Sequence, residues 1–159
     1  MKKKETIKQT IDFLIGFLSG IAAFMTMIFL EGFLAIFTHS FLYLSKGSLS
    51  ALLFLLIPAG IEEGLKISLS WNLWQRRKNI ATIIGLGLGV GFSEALIAKG
   101  TINWTILTSE LLYLHLIFLL GGFLLAQYMA KGNNRKMILW WLSVSILLHW
   151  GYNAFQFTS

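Results

Sequence analysis

The sequence predicts an all-α fold, a polytopic bundle of transmembrane helices with about five spans. Of its 159 residues, 56% are hydrophobic and 14% are aromatic, and the mean hydropathy is +0.71. This composition is too apolar for a soluble domain of this size. The apolar residues also fall into runs of about 20 residues, the length an α-helix needs to cross a bilayer. Short basic clusters separate these runs, as in multi-pass membrane proteins.

Charge and cysteine content exclude several classes of function. The net charge of +6 does not indicate a nucleic-acid partner, because the basic residues lie between apolar runs, where the positive-inside rule places them. The chain contains no cysteine, which excludes disulfides and thiolate chemistry. The sequence leaves the oligomeric state open. All the predicted loops are short, so we expect a single membrane domain over residues 1–159, with the lipid bilayer as a partner and any chemistry among the helices.

The predicted spans follow a basic cytoplasmic tail at residues 1–10. The apolar run of the first span is too long for a cleavable signal peptide, and we expect it to remain in the protein. Pro58 in the second span removes one backbone hydrogen bond and is expected to kink the helix. The third span has glycine at alternate positions from Gly85 to Gly91, and its two overlapping G-x-x-x-G pairs allow neighbouring backbones to approach closely. The spans are predicted near residues 11–37, 48–74, 80–98, 104–130 and 137–157.

The basic residues set the predicted orientation. Placing the N-terminal tail, the turn at 75–79 and the turn at 131–136 in the cytoplasm leaves only Lys46 and Lys99 in loops on the opposite side. Because lysine and arginine in short loops remain cytoplasmic, we expect a multi-pass protein of the cell membrane. Its N-terminus is expected in the cytoplasm and its C-terminus outside.

Two adjacent carboxylates lie inside the second predicted span, in the stretch P-A-G-I-E-E-G-L-K that ends at Lys66. A charged side chain at the centre of a membrane helix costs roughly 2.5–3.5 kcal/mol, so it faces a bundle interior or a wet cavity and marks a functional site. Glu62 stands one turn before Lys66, and an ion pair between them offsets part of this cost, with Lys66 as counter-ion rather than catalyst. Glu63 points about 100° away from Glu62 and needs a partner, which we expect on another helix.

Other polar residues are distributed over the remaining spans. His149 and Asn153 stand four residues apart in H-W-G-Y-N, so they share one helix face. Taken singly, a histidine or asparagine in a membrane helix is more often a hydrogen-bonding bridge between helices than a ligand or base. Glu31 and Glu110 lie closer to the predicted interfaces, where solvated roles are favoured. Because packing alone does not require so many ionisable groups on four spans, we expect a common site. Its candidate residues are Glu62, Glu63, Glu94, His115, His149 and Asn153.

Four short motifs occur in order on separate predicted spans. They are E-E-x-x-K from Glu62, G-L-G-V-G-F-S-E ending at Glu94, H-L-I-F-L-L-G from His115, and H-W-G-Y-N from His149. In this order they resemble the motifs of the PrsW-like intramembrane proteases, which are similar to the wider CPBP family of CAAX proteases and bacteriocin-processing enzymes. The resemblance extends over about residues 58–155. It implies an intramembrane endopeptidase whose substrate is a membrane-embedded or membrane-proximal protein or peptide, with Glu62 as the base.

The resemblance is compatible with two arrangements of the site. In the first, His115 and His149, with Glu94 or a glutamate of the first motif, hold a zinc ion that activates a bound water molecule. In the second, no metal takes part: a glutamate and a histidine polarise the water, and Asn153 with another imidazole donates to the oxyanion.

A function from another class uses the same residues without catalysis. In that alternative the chain is a membrane protein whose buried Glu and His cluster passes protons or cations, or an immunity or scaffold factor.

Overall fold

The chain forms five long α-helices and one short 3₁₀ helix within the residues that the structure, a computed structural model, describes: 2–37, 53–101 and 104–158. Side chains are described for residues 4–33, 53–101 and 104–156. No strand occurs in these ranges, which confirms the predicted all-α class. The helices are α1 (Lys2–Phe37), α2 (Leu56–Arg77), α3 (Ile80–Lys99), α4 (Glu110–Ala130) and α5 (Asn134–Thr158), with the 3₁₀ helix Trp104–Ile106 before α4.

Three segments of the described chain are long and apolar enough to cross a membrane: Lys4–Phe33, Ile80–Lys99 and Trp104–Ala130. The helices α2 and α5 carry more polar residues. Helix α2 contains five charged side chains, three in its interior and two in its last turn, and α5 combines a basic first turn with serine, histidine and asparagine residues. The candidate site described below includes Glu62, Glu63 and Lys66 of α2 and His149 of α5.

The helix boundaries differ from the predicted spans at two places. The first helix begins at Lys2 and includes the predicted tail, because no glycine or proline interrupts residues 2–10. The predicted span at 104–130 is divided, since α4 begins only at Glu110. Before it, the amides of Leu107 and Ser109 bond three residues back, and the Thr108 hydroxyl donates to the Thr105 carbonyl. Such local bonds compete with the α-helical pattern.

The helix is interrupted three residues before Pro58. Leu53 and Phe54 are helical, Leu55 is a turn residue, and α2 begins at Leu56. The missing N–H of Pro58 is the one that would donate to the Phe54 carbonyl, which explains an interruption at this point. The first residues of the predicted span, 48–52, and the loop with His39 and Lys46 lie outside the described residues.

The glycine-rich helix α3 packs between α1 and α4. A Cβ atom built on Gly89 would lie 2.1 Å from the Phe17 carbonyl oxygen of α1, and one on Gly91 would lie 2.6 Å from the Leu112 carbonyl oxygen of α4. These distances leave no room for any side chain. The alternate glycines therefore make both faces of α3 thin, as the sequence predicts, and they place Glu94, three residues after Gly91, close to α4.

A polar contact fixes the start of α1 against the turn between α2 and α3. Asp12 is fully buried; Arg77 donates to its Oδ1 at 3.0 Å and Asn79 to its Oδ2 at 2.8 Å. The Asn79 side chain also accepts from the amide of Ala81 and so caps α3. The N-terminal part of α1 and the basic turn at 75–79 thus lie at the same end of the bundle.

Candidate functional site

Six ionisable side chains from four helices form one connected cluster. Lysine and glutamate residues of α2 lie at its centre, and α3, α4 and α5 each contribute one residue. The members of this cluster, called the Lys66 cluster below, are Glu62, Glu63, Lys66, Glu94, His115 and His149. The structure therefore brings together five of the six candidate residues predicted from the sequence.

The Lys66 ammonium connects the members of the cluster, and its side chain is fully buried. It donates to the carboxylate of Glu63, which is also fully buried, and to His115 Nδ1 at 3.0 Å. The Oε2 atom of Glu62 is 4.0 Å away. A buried charge requires a nearby partner of opposite sign. That partner is Glu63, three residues earlier, which lies closer than the predicted partner Glu62.

Both ring nitrogens of His115 are engaged in this cluster. An ammonium group only donates, so the His115 Nδ1 atom accepts from Lys66 and the ring proton is assigned to Nε2. Nε2 then donates to the carboxylate of Glu94 on α3. His115 is thus a neutral imidazole fixed from both sides, and it links Lys66 to Glu94.

His149 has one ring nitrogen engaged by the cluster. Its Nδ1 atom lies 2.8 Å from Glu63 Oε1 and 3.5 Å from Glu62 Oε2. The ring packs against Phe118, with centroids 5.8 Å apart, and edge-on against His115 at the same separation. Because a carboxylate accepts, Nδ1 carries the proton, and Nε2 is the ring nitrogen left outside these contacts. Glu63 has thereby found the expected partner on another helix.

Glu62 occupies the edge of the cluster. Its side chain is 20% exposed, whereas those of Glu63 and Lys66 are 0% exposed. Its Oε2 atom has no hydrogen-bond partner among the described residues, although two nitrogen atoms, of His149 and Lys66, lie 3.5 and 4.0 Å away. Glu62 is therefore the glutamate of the pair that combines proximity to positive charge with access from outside.

Glu31 of α1 is the residue that sequence reasoning misplaced. Instead of a solvated position near an interface, its side chain is partly buried beside Glu62, and its Oε1 atom is buried without a hydrogen-bond partner among the described residues. The sequence signal was an acidic residue late in an apolar span, a pattern shared by many interfacial residues.

Asn153 and Glu110 lie outside the hydrogen-bonded cluster. Asn153 is partly buried, one turn after His149 on α5, and no hydrogen bond joins it to the cluster in the described part of the chain. Glu110 is exposed, as expected near an interface, and accepts a hydrogen bond from the Tyr152 hydroxyl at 3.3 Å. Of the six candidates, Asn153 is thus the one that the structure places beside the cluster rather than in it.

The fit of a metal ion depends on Lys66. Among the described residues, the ligand atoms that approach one another closely, within 4.8 Å, belong to Glu62, Glu63 and His115, not to the expected trio Glu94, His115 and His149. Zinc binds such atoms at about 2.0–2.2 Å. The Lys66 ammonium lies within 4.0 Å of a ligand atom of each residue and already occupies His115 Nδ1. In this arrangement the cluster does not fit a zinc ion.

Comparisons with known proteins give no match for the chain. No family model matches it, and no curated protein or solved structure matches it at a significant level. The resemblance to the PrsW-like and CPBP proteases therefore depends on the four motifs, whose reactive residues, except Asn153, meet in the Lys66 cluster.

Proposed function

We propose that this chain is a multi-pass membrane endopeptidase that hydrolyses a peptide bond in a membrane-embedded or membrane-proximal segment of its substrate. The reaction uses a water molecule activated by Glu62, without a metal ion. The observation that carries this proposal is the state of Glu62: its side chain is partly exposed, and its buried Oε2 atom has no hydrogen-bond partner among the described residues. A carboxylate in that state can accept a proton from water.

The other members of the cluster have positioning roles in this mechanism. Glu63 neutralises Lys66 and accepts from His149, so it holds both groups in place. The Oε2 atoms of Glu62 and Glu63 are both buried and unpartnered among the described residues, but the Glu62 side chain is 20% exposed whereas that of Glu63 is 0% exposed. This difference favours Glu62 over Glu63 as the base and agrees with the role that the resemblance implies.

The proposed reaction proceeds by proton transfer through Glu62. Glu62 takes a proton from the attacking water, the oxygen of that water adds to the carbonyl carbon, and the same proton passes to the leaving amine as the C–N bond breaks. The amide group of Asn153 donates to the oxyanion, and His149 Nε2 contacts the substrate next to it. The substrate segment unwinds locally, because a helical backbone hides its carbonyl groups.

The test uses purified protein in proteoliposomes with a set of transmembrane peptides that carry a fluorophore and a quencher on opposite sides of the membrane segment. We expect the wild-type chain to cleave members of the set and Glu62→Gln to reduce the rate by at least about 10²-fold, the usual effect of losing a general base. The control is Glu5→Gln, which makes the same change at an exposed position of α1. Cleavage by Glu62→Gln at the wild-type rate would remove Glu62 from the mechanism.

A proton relay is the second candidate, and the continuity of the cluster favours it. Contacts run without a gap from Glu94 through His115, Lys66 and Glu63 to His149. Chains of acidic and basic groups of this kind carry protons in membrane pumps. Proteoliposomes that contain a pH-sensitive dye discriminate between the candidates. A relay makes the vesicles permeable to protons without cleaving a peptide. A protease cleaves the peptide and leaves the vesicles impermeable to protons.

A further inference from the structure

The position of Lys66 has a consequence that the proposed hydrolysis does not require. We infer that the Lys66 ammonium is the resident cation of the site, so that it closes a latent binding site for a divalent transition metal ion such as Zn²⁺. Removing this ammonium opens the site. The site consists of Glu62, Glu63 and His115, whose ligand atoms lie within 4.8 Å of one another.

The first argument is the donor set. Carboxylate oxygen and imidazole nitrogen are both ligand types that zinc accepts, and zinc binds three protein ligands in open sites. Here these atoms converge from two helices, since Glu62 and Glu63 are on α2 and His115 is on α4. The imidazole presents Nδ1 to this set, while its Nε2 donates to Glu94. A carboxylate on the second nitrogen is the partner that orients metal-binding histidines in proteins.

The second argument is that Lys66 already makes the contacts a metal would make. Its ammonium bonds to the Glu63 carboxylate and to His115 Nδ1, and it lies 4.0 Å from Glu62 Oε2. A zinc ion at about 2 Å from the same atoms would lie against the ammonium, where like charges repel strongly in a buried site. The zinc ion and the Lys66 ammonium therefore cannot occupy the cluster at the same time.

The third argument is the charge that remains without Lys66. In the described residues, Lys66 is the one lysine or arginine that contacts the cluster, and it lies within 4.0 Å of the carboxylates of Glu62 and Glu63. Replacing it with a neutral side chain leaves a buried, strongly negative group with a free imidazole nitrogen. A divalent cation neutralises such a group, whereas the wild-type chain meets the same need with its own side chain.

The experiment measures metal binding rather than cleavage, so its result is independent of the proposed function. Wild type, Lys66→Met and the control Lys99→Met, at an exposed lysine of α3, are purified without a metal-binding tag and dialysed against Zn²⁺. We expect about one zinc ion per chain in Lys66→Met by elemental analysis, a higher thermal unfolding temperature with Zn²⁺, and neither effect in the other two proteins. Adding His115→Ala to Lys66→Met removes a ligand and should abolish both effects.

Lys66→Gln is the second variant, in case Lys66→Met does not fold. Its amide keeps a donor for Glu63 while removing the charge, and Zn²⁺ should raise its unfolding temperature in the same way. The inference is overturned if both folded variants take up no zinc, or if wild type binds one zinc ion that His115→Ala loses. If neither variant folds with or without Zn²⁺, no metal replaces the ammonium and the inference is also overturned.

Discussion

The Nδ1 atom of His149 lies 2.8 Å from Glu63 Oε1, and this contact joins α5 to the adjacent glutamates of α2. It differentiates the two histidines of the cluster. His149 has its Nε2 atom outside the cluster contacts, whereas His115 uses Nδ1 for Lys66 and Nε2 for Glu94. One imidazole is thus able to act on a substrate, and the other holds the cluster together.

The two histidines should therefore differ in their effect on cleavage. We expect His149→Gln to lower kcat by about 10²-fold, because the variant loses the contact of Nε2 that positions the substrate. His115→Gln should cost less than about tenfold in kcat, because a glutamine amide can accept from Lys66 and donate to Glu94. Both variants are measured with the quenched peptides in proteoliposomes. Equal losses in the two variants would contradict the separate roles of the histidines.

The packing of α3 against α1 gives a prediction about stability. Gly89→Ala places a methyl group against the Phe17 carbonyl oxygen, since the added Cβ would lie 2.1 Å from it. We expect the free energy of unfolding to fall by about 1–3 kcal/mol, the usual cost of overpacking, as measured by denaturant titration in detergent micelles.

Gly121→Ala is the matched control for that variant. No atom lies within 4 Å of a Cβ added to Gly121, which is exposed on α4. Alanine there should leave stability unchanged or raise it by up to about 1 kcal/mol, because alanine favours the helix more than glycine does. Equal stability of both alanine variants would show that α1 and α3 are not in close contact.

The buried carboxylate of Asp12 should contribute to stability through its two partners. Asp12→Ala leaves Asn79 Nδ2 and Arg77 without the acceptors that lie 2.8 and 3.0 Å away. The expected loss is about 1.5–3 kcal/mol in the free energy of unfolding, the usual contribution of a hydrogen bond to a charged group. Glu5→Ala, at an exposed position of the same helix, should have no measurable effect. A loss as large in Glu5→Ala would point to general weakening of α1 instead.

The predicted orientation is tested with reporters that respond to the compartment. A reporter fused after Ser159 should report an extracytoplasmic C-terminus, and one inserted after Asn133 should report the cytoplasm, because the turn at 131–136 is basic. The contact of Asp12 with Arg77 supports a common side for the N-terminus and the turn at 75–79. A cytoplasmic signal from the C-terminal reporter would overturn the count of five spans.

Much of the architecture follows from local sequence. The helical class is predictable because apolar runs separated by basic turns have one structural solution in a membrane. The contacts of α3 on both faces are predictable because glycine recurs at alternate positions from Gly85 to Gly91. The interruption near Leu55 is predictable because Pro58 has no N–H to donate. Each of these features depends on residues within a few positions along the chain.

The tertiary structure decided the partners of the ionisable groups. Spacing along α2 favoured Glu62 as the partner of Lys66, but the closer contacts are with Glu63 and with His115, 49 residues away. The packing of the helices likewise brought Glu31 close to Glu62 and left Asn153 beside the cluster. The sequence by itself determined which helices carry ionisable residues and that each buried charge needs a partner, because burying a charge in an apolar segment costs free energy wherever its partner comes from. Which charges meet depends on how the helices rotate and pack, and only the folded bundle fixes that arrangement.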